Sequence, residues 1–142
     1  MTTLLVPVDG SEYSLRAVDY VVRRALRSKD PVTLHLLNVQ MPITTVNVKL
    51  FVSPESLESY YREEGTRALQ GALERAKSEG LELIPHIGVG DPAKIVIDYC
   101  REKNADEIIM GTHGRGALAG AFLGSVAQKV IHLASVPVVL VK

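Results

Sequence analysis

A chain of 142 residues has the length of one domain and can bury a core without disulfide or metal support. Lysine plus arginine and aspartate plus glutamate both number 16, so the formal net charge is zero and no basic footprint for nucleic acid is present. The single cysteine excludes an internal disulfide, no secretory signal is recognisable, and no apolar run approaches the ~20 residues that cross a bilayer. We therefore expect a single domain over residues 1–142 in the cytoplasm, with neither nucleic acid nor membrane as a partner.

Short apolar runs alternate with helical periodicity along the chain. The first run, Leu4 to Val8, ends at Asp9-Gly10 and predicts a buried strand. Ser11 is a suitable cap for the helix that follows, and Val32 to Val39 predicts a second strand. From Gln40 to Val52 the β-branched residues have no helical spacing, so this segment is predicted to be a long crossover loop.

The second half of the chain continues the alternation. Ser53-Pro54 predicts the start of a long helix, and Gly80 predicts its end. Further strands are predicted at Leu81–Val89, Ala105–Met110 and Val136–Val141, with a helix before each of the last two. Strands that are apolar on both faces and separated by helices predict a doubly wound, five-stranded parallel sheet with helices on both faces, a Rossmann-like α/β fold.

The segment after the fourth predicted strand, residues 111–125, holds five of the chain's 11 glycines. In open parallel sheets ligands bind at the carboxyl ends of the strands, where a side chain at Gly111 would obstruct them. Gly114 and Gly116 allow the loop to turn its N–H groups inward. Gly124-Ser125 opens the last helix, whose N–H groups, dipole and serine hydroxyl suit a phosphate. A flexible surface loop rich in small residues is the alternative interpretation.

Two other phosphate-binding motifs do not fit this segment. A Walker A loop requires Gly-Lys-Ser/Thr, whereas Leu123-Gly124-Ser125 contains no lysine. A Rossmann fingerprint follows the first strand, whereas Gly114-Arg115-Gly116 follows the fourth, and its third glycine does not come at the required spacing. Neither of these two motifs therefore explains the segment.

The glycine pattern resembles G-x2-G-x9-G-[ST] of the universal stress protein family, in its ATP-binding branch. The matching residues are Gly111, Gly114, Gly124 and Ser125. The opening Val6-Pro7-Val8-Asp9-Gly10-Ser11 and the ending Val136-Pro137-Val138-Val139 are also similar to the family's, so the resemblance covers essentially the whole chain.

The resemblance implies the strand order 3-2-1-4-5 and a bound adenine nucleotide, ATP or a relative of it, with or without Mg²⁺. The implied adenine contacts are Pro7, Val8 and the backbone of Val39. Asp9 is implied to contact the ribose or, through the nucleotide, a metal ion. The sugar and phosphate contacts implied by the resemblance are Met110, Gly111, His113, Gly114, Arg115, Gly124, Ser125 and Val126.

Several of these residues also suit a purely structural role. Asp9 also suits a turn or N-cap before the first helix, a role compatible with ligand binding. His113 and Arg115 also suit a solvated loop. The other three histidines have no spacing typical of a metal site, so we expect His35, His86 and His132 to be structural. Cys100 is expected to be a buried, unreactive thiol.

The function implied by the resemblance is a stress-response module that binds ATP and signals through a dimer or through an unidentified protein partner. The edge strand 136–141 is expected to pair with its copy in a homodimer. A slow ATP hydrolase is one alternative, slow because the loop supplies no lysine and no obvious second carboxylate. A dimeric stress protein that binds no nucleotide is another, and the intact glycine pattern argues against it.

Overall fold

Strands and helices alternate in the computed structural model, which describes residues 1–115 and 120–142. Their bounds in chain order are β1 (Thr2–Pro7), α1 (Glu12–Arg27), β2 (Val32–Gln40), α2 (Val46–Phe51), α3 (Pro54–Ser78), β3 (Ile84–Val89), α4 (Pro92–Glu102), β4 (Glu107–Gly111), α5 (Ser125–Leu133) and β5 (Val138–Val141). The predicted five strands are confirmed. No helix in the described ranges is both long and apolar enough to cross a membrane.

The five strands form one parallel sheet in the order β3-β2-β1-β4-β5, as the resemblance implies. β1 lies in the middle and pairs with β2 on one side, where Leu4 lies opposite Leu34, and with β4 on the other, where Leu5 lies opposite Ile108. The chain order therefore reverses between β1 and β4. This reversal places a crevice at the carboxyl ends of these two strands.

Apolar side chains on both faces of the sheet explain why helices pack against both faces. Successive side chains in a strand point to opposite faces. Leu4 accordingly joins the core under α1 and α3, and Leu5 joins the core under α4 and α5. The predicted doubly wound α/β architecture is confirmed.

The crossover between β2 and α3 differs from the predicted loop, because Gln40 still belongs to β2 and residues Val46–Phe51 form the short helix α2. Its backbone bonds run from the Lys49 N–H to the Thr45 carbonyl and from the Val52 N–H to the Val48 carbonyl. None of the α2 residues is buried. A helix that packs no apolar stripe has no helical periodicity in its sequence, which is why the pattern indicated a loop.

The strand after α3 begins at Ile84 rather than at the predicted Leu81. Gly80 has φ +75°, and the Leu81 N–H donates to the Ala76 carbonyl at 2.9 Å. The Gly80 N–H donates to the Lys77 carbonyl at 3.0 Å, which completes a Schellman motif. Gly80 therefore ends the helix as predicted, and Leu81 belongs to its cap.

Other strand bounds shift for similar local reasons. β4 begins at Glu107 and not at Ala105, because the Ala105 N–H donates to the Cys100 carbonyl at the end of α4. β5 begins at Val138 and not at Val136. Pro137, which has no N–H, accepts a bond from the Ile108 N–H just before the strand. β1 starts and ends slightly earlier than predicted, at Thr2 and Pro7.

Candidate functional site

The carboxylate of Asp9, just beyond β1, joins the start of α1 to the loop after β4. Its Oδ1 accepts bonds from the Ser11 N–H at 2.9 Å and from the Ser14 hydroxyl at 3.2 Å. Its Oδ2 accepts a bond from the backbone N–H of Arg115 at 2.7 Å, across 106 positions of sequence. The structure therefore brings together two of the predicted site residues, and it also confirms the turn role of Asp9.

The surroundings of Asp9 keep it ionised. Burial of the Asp9 carboxyl raises its pKa, but hydrogen bonds from Ser11, Arg115 and Ser14 outweigh that effect, so the pKa lies below its ordinary value. An ionised carboxylate accepts stronger bonds than a neutral one, which favours a well-defined loop position.

Two motif glycines permit close approaches within this crevice. A Cβ at Gly114 would overlap the Asp9 Oδ2, so only glycine lets the carboxylate lie against the loop. A Cβ at Gly124 would lie 3.2 Å from the Cα of His113, tighter than ordinary van der Waals contact. The Gly124 N–H donates to the Thr112 carbonyl at 2.8 Å, so the two ends of the loop touch.

Gly111 has a packing role that the sequence did not indicate. A Cβ there would lie 2.8 Å from the backbone carbon and the Cβ of Tyr13. The space left by the missing side chain is therefore used by α1. Gly116, the remaining glycine assigned to the inward turn, lies outside the described residues.

The N-terminus of α5 is left without a side-chain cap, as far as the described residues extend. In α1, α3 and α4, though not in the short α2, the cap residue accepts a bond from a backbone N–H of the first turn; these caps are Ser11, Ser53 and Asp91. In α5 the cap residue is Gly124, with no side-chain hydrogen bond. The first N–H groups of a helix have no partners inside it, so this end can bind an anion. The exposed Ser125 and half-buried Val126 are its first two residues.

Both ring nitrogens of His113 contact the loop itself. Nδ1 lies 2.9 Å from the Thr112 hydroxyl, and Nε2 lies 2.7 Å from the Ala121 carbonyl oxygen. The ring also packs on Tyr13 of α1, with 5.0 Å between the ring centroids. The structure thus places His113 in the predicted crevice with its polar atoms bonded to protein.

The Arg115 side chain lies beside the turn between β1 and α1. Its Nη2 is 2.8 Å from the position that a Cβ on Gly10 would take. Gly10 has φ +81°, a backbone conformation that favours glycine. Arg115 is exposed, so its guanidinium remains accessible at the rim of the crevice.

The predicted adenine contacts lie at the ends of β1 and β2, where a buried amide that sequence reasoning missed connects them. Asn38 is 3% exposed, and its Nδ2 donates to the Val8 carbonyl at 2.8 Å. Its Oδ1 accepts a bond from Gln40 Nε2 at 2.7 Å. Val8 is buried and Val39 half-buried. The available signal was an amide, Asn38, placed between Leu37 and Val39 in the apolar part of β2, because buried amides are nearly always hydrogen-bonded.

The side chains expected to be structural lie away from this crevice. Cys100 is buried, and burial raises the pKa of its thiol, as expected for an unreactive group. His35 and His86 lie together on neighbouring strands, with 2.9 Å between Nδ1 of the first and Nε2 of the second. Within the described residues, no group of three or more histidine, cysteine, aspartate or glutamate side chains is placed to hold a metal ion.

The sequence profile of the universal stress protein family matches residues 1–142. The chain belongs to the universal stress protein family. Universal stress protein MJ0531 of Methanocaldococcus jannaschii is 32% identical over 145 residues, covering 98% of this chain and 81% of the relative. The solved structure of MJ0577, a universal stress protein of the same organism, superposes with a TM-score of 0.84 at 28% identity, covering 99% and 95% of the two chains. A universal stress protein solved in complex with cAMP superposes with a TM-score of 0.69 at 28% identity and the same coverages.

Proposed function

We propose that this universal stress protein is a regulatory module that binds an adenine nucleotide, ATP foremost, at the carboxyl ends of β1 and β4. The observation that carries the proposal is the junction of Asp9 with the loop that leads to the uncapped N-terminus of α5. A carboxylate on one side and free N–H groups on the other suit a ligand with a sugar hydroxyl and phosphates. The cAMP complex of a relative supports the adenine assignment.

Each part of the crevice matches one part of such a ligand. The N–H groups of Ser125 and Val126, the Ser125 hydroxyl and the positive end of the α5 dipole suit the phosphates. Gly114 exposes backbone close to Asp9, and the accessible Arg115 guanidinium adds positive charge at the rim. Asp9 suits the ribose.

The apolar ends of β1 and β2 suit the adenine ring. Pro7 and Val39 are half-buried and Val8 is buried, so together they offer apolar surface with backbone groups at its edge. Met110 and Gly111, both buried, end β4 on the sugar side. The adenine edge would take its hydrogen bonds from the Val39 backbone.

A magnesium ion fits this site only when it is bound together with the nucleotide. Asp9 is the carboxylate at the crevice, and the described residues supply no cluster of further ligands. Mg²⁺ commonly binds through one or two carboxylates together with substrate phosphates. Asp9 would then orient the ion through water or directly, and the ion would neutralise phosphate charge.

Slow ATP hydrolysis is the second candidate function. Fast phosphoryl transfer needs positive charge on the γ-phosphate and a positioned nucleophile. Arg115 supplies positive charge at the rim of the crevice, whereas the Asp9 carboxylate, which accepts three hydrogen bonds from protein, is a poor candidate for the base that activates a nucleophile. Nucleotide occupancy, read by a protein partner or through a homodimer in the cytoplasm, is therefore the proposed output.

Extraction of the purified protein with acid, followed by chromatography of the supernatant, tests whether the protein carries an adenine nucleotide. We expect an adenine nucleotide in the extract, or binding of added ATP, AMP or cAMP by the stripped protein. Adenosine should bind more weakly than AMP, because it offers no phosphate to α5. An empty extract together with no binding of any of these ligands at millimolar concentration would refute the proposal.

A further inference from the structure

The imidazole of His113 bridges the two ends of the loop that joins β4 to α5. One nitrogen contacts the Thr112 hydroxyl one residue after β4, and the other contacts the Ala121 carbonyl three residues before Gly124. We propose that His113 is a positioning residue that fixes the N-terminus of α5 against β4 before any nucleotide arrives. This inference rests on the proposed nucleotide site and assigns His113 a role other than phosphate contact.

Hydrogen-bond chemistry determines which ring nitrogen carries the proton. A backbone carbonyl only accepts, so Nε2 must donate to the Ala121 oxygen. In the neutral ring Nδ1 is then an acceptor, and the Thr112 hydroxyl donates to it. The bridge is therefore complete with an uncharged ring and needs no anion.

A second bond runs parallel to this bridge. The Thr112 carbonyl accepts the Gly124 N–H at 2.8 Å, and Thr112 itself is only 8% exposed. Tyr13 covers the imidazole from the α1 side, with the two rings tilted by 44°. Thr112, Ala121 and Tyr13 thus hold the ring in one position. A ring held in this way suits a structural support better than a side chain that moves to contact a ligand.

The same geometry argues against a direct phosphate contact. A phosphate oxygen would have to displace either Thr112 or the Ala121 carbonyl from the ring, since both nitrogens are engaged. The helix N–H groups, the Ser125 hydroxyl and Arg115 remain for the phosphates. Binding residues that are held in place in advance lose less conformational entropy when a ligand binds, so the bridge raises affinity without touching the ligand.

Amide hydrogen exchange of the nucleotide-free protein tests this role. In His113→Ala the Gly124 and Arg115 amides should exchange about tenfold faster, the change expected when a net hydrogen-bond contribution near 1.4 kcal/mol is lost. The Val21 amide in the core of α1 should keep its rate, which excludes a general loss of stability. His132→Ala, which removes an exposed histidine from α5, is the matched control and should leave every rate unchanged.

Rescue and nucleotide binding complete the experiment. His113→Gln retains a side-chain N–H that reaches toward the Ala121 carbonyl, so it should restore slow exchange at Gly124 in large part. ATP affinity should fall about tenfold in His113→Ala and recover in His113→Gln. Nitrogen-15 spectra of the wild type should show that the neutral ring carries its proton on Nε2.

Unchanged exchange at Gly124 in nucleotide-free His113→Ala, combined with weaker ATP binding, would overturn the positioning role and assign a direct contact. The opposite protonation of the ring would also overturn it. The exchange measurement needs no ligand, so a wild-type protein that binds no nucleotide would refute the proposed function while leaving the bridge itself intact.

Discussion

Asp9 holds β1, α1 and the glycine loop together through one carboxylate. Asp9→Asn keeps the shape of the side chain and removes its charge, so the bond from the Arg115 N–H is weakened or replaced by a clash of two donors. We expect the free energy of unfolding to fall by about 1.5–3 kcal/mol, the range for hydrogen bonds to charged groups. Urea unfolding measures this change. Asp98→Asn, an exposed carboxylate on α4, is the control and should change the stability little; equal stabilities of the two variants would contradict the role given to Asp9.

The contact between His35 and His86 predicts a stability that depends on pH near neutrality. Burial lowers the pKa of both rings, and the positive charge of nearby Lys103 lowers both further. The pKa of His86 is also lowered by His35 and raised by Glu102, and the net shift is downward. The ring of Tyr99 from α4 packs on His86. The unfolded chain therefore binds more protons than the folded one just below the ordinary histidine pKa of 6.5.

The sign follows from these lowered pKa values. The neutral rings of His35 and His86 contribute to the free energy of unfolding above the histidine pKa of the unfolded chain. This contribution is lost as the pH falls toward the lower pKa values of the folded protein, so the urea midpoint should be lower at about pH 5.5 than at about pH 7.5. His86→Gln should flatten this dependence, and His132→Gln should not. A midpoint that stays constant over this interval in the wild type would be inconsistent with the account.

At the residue scale, the sequence indicated close contacts that require a particular residue type and gave no sign of those made to backbone carbonyls. Gly114 and Gly124 were recognisable because the crevice tolerates no side chain there. The contacts of Asn38 and His113 were not, since they are made to the carbonyls of Val8 and Ala121, which any residue type supplies. Such pairings depend on register and loop path, and these emerge only in the folded chain.

Two glycines in α3 predict opposite responses to the same substitution. A Cβ at Gly65 would lie 2.8 Å from three side-chain atoms of Ile87 in β3, so Gly65→Ala must push the helix or the isoleucine aside. A Cβ at Gly71 would make an ordinary contact of 3.5 Å with Leu15. We expect Gly65→Ala to destabilise the protein by about 1–3 kcal/mol and Gly71→Ala to stabilise it by about 0.4–1 kcal/mol.

Thermal and urea unfolding of the two variants measure this difference. Each serves as the control for the other, because both replace a glycine by alanine inside one helix. If both variants were stabilised to the same extent, helix propensity alone would explain them and the close approach of α3 to β3 would have no energetic role.

At the element scale, sequence predicted what apolar periodicity encodes. The long helices and buried strands repeat apolar residues at the spacing of their own geometry. α2 lacks such a repeat because it buries none of its residues, and Leu81 is apolar yet belongs to a helix cap because Gly80 turns the chain first. Local backbone hydrogen bonds determine these boundaries, and such bonds produce no repeating pattern of apolar residues in the sequence.

The exposed edge of β5 predicts how two copies would pair. The Ile108 N–H donates to the Pro137 carbonyl, and the Thr112 N–H donates to the Val141 carbonyl. Alternation along a parallel ladder then directs the Val139 N–H toward β4 and the Val138 N–H outward. If a homodimer forms through this edge, Val138→Pro should yield a folded monomer, whereas Val139→Pro should destabilise the fold itself.

Sedimentation equilibrium and circular dichroism together measure these outcomes. Loss of the dimer in Val138→Pro with retained secondary structure supports pairing through β5. A Val138→Pro variant that remains a dimer would place the contact on another surface, and a monomeric wild type would remove the dimer from the proposed mechanism.

For the whole molecule, composition and periodicity predicted the doubly wound architecture, whereas the strand order came from the family resemblance. Alternating strands and helices are compatible with several orders, and the pairing of β1 with both β2 and β4 depends on contacts between distant parts of the chain. Once that order is known, the carboxyl ends of β1 and β4 become the crevice, and the glycine motif falls at its edge.

Isothermal titration of the nucleotide-free protein with ATP measures whether the crevice binds a nucleotide. We expect saturable binding at one site per chain with a Kd below about 1 mM, equivalent to at least about 4 kcal/mol of binding free energy. Gly124→Val should abolish this binding while the protein stays folded, and Gly71→Ala should bind as the wild type does. Absence of binding by the wild type at millimolar ATP would refute nucleotide binding, and unchanged affinity in Gly124→Val would place the nucleotide away from the start of α5.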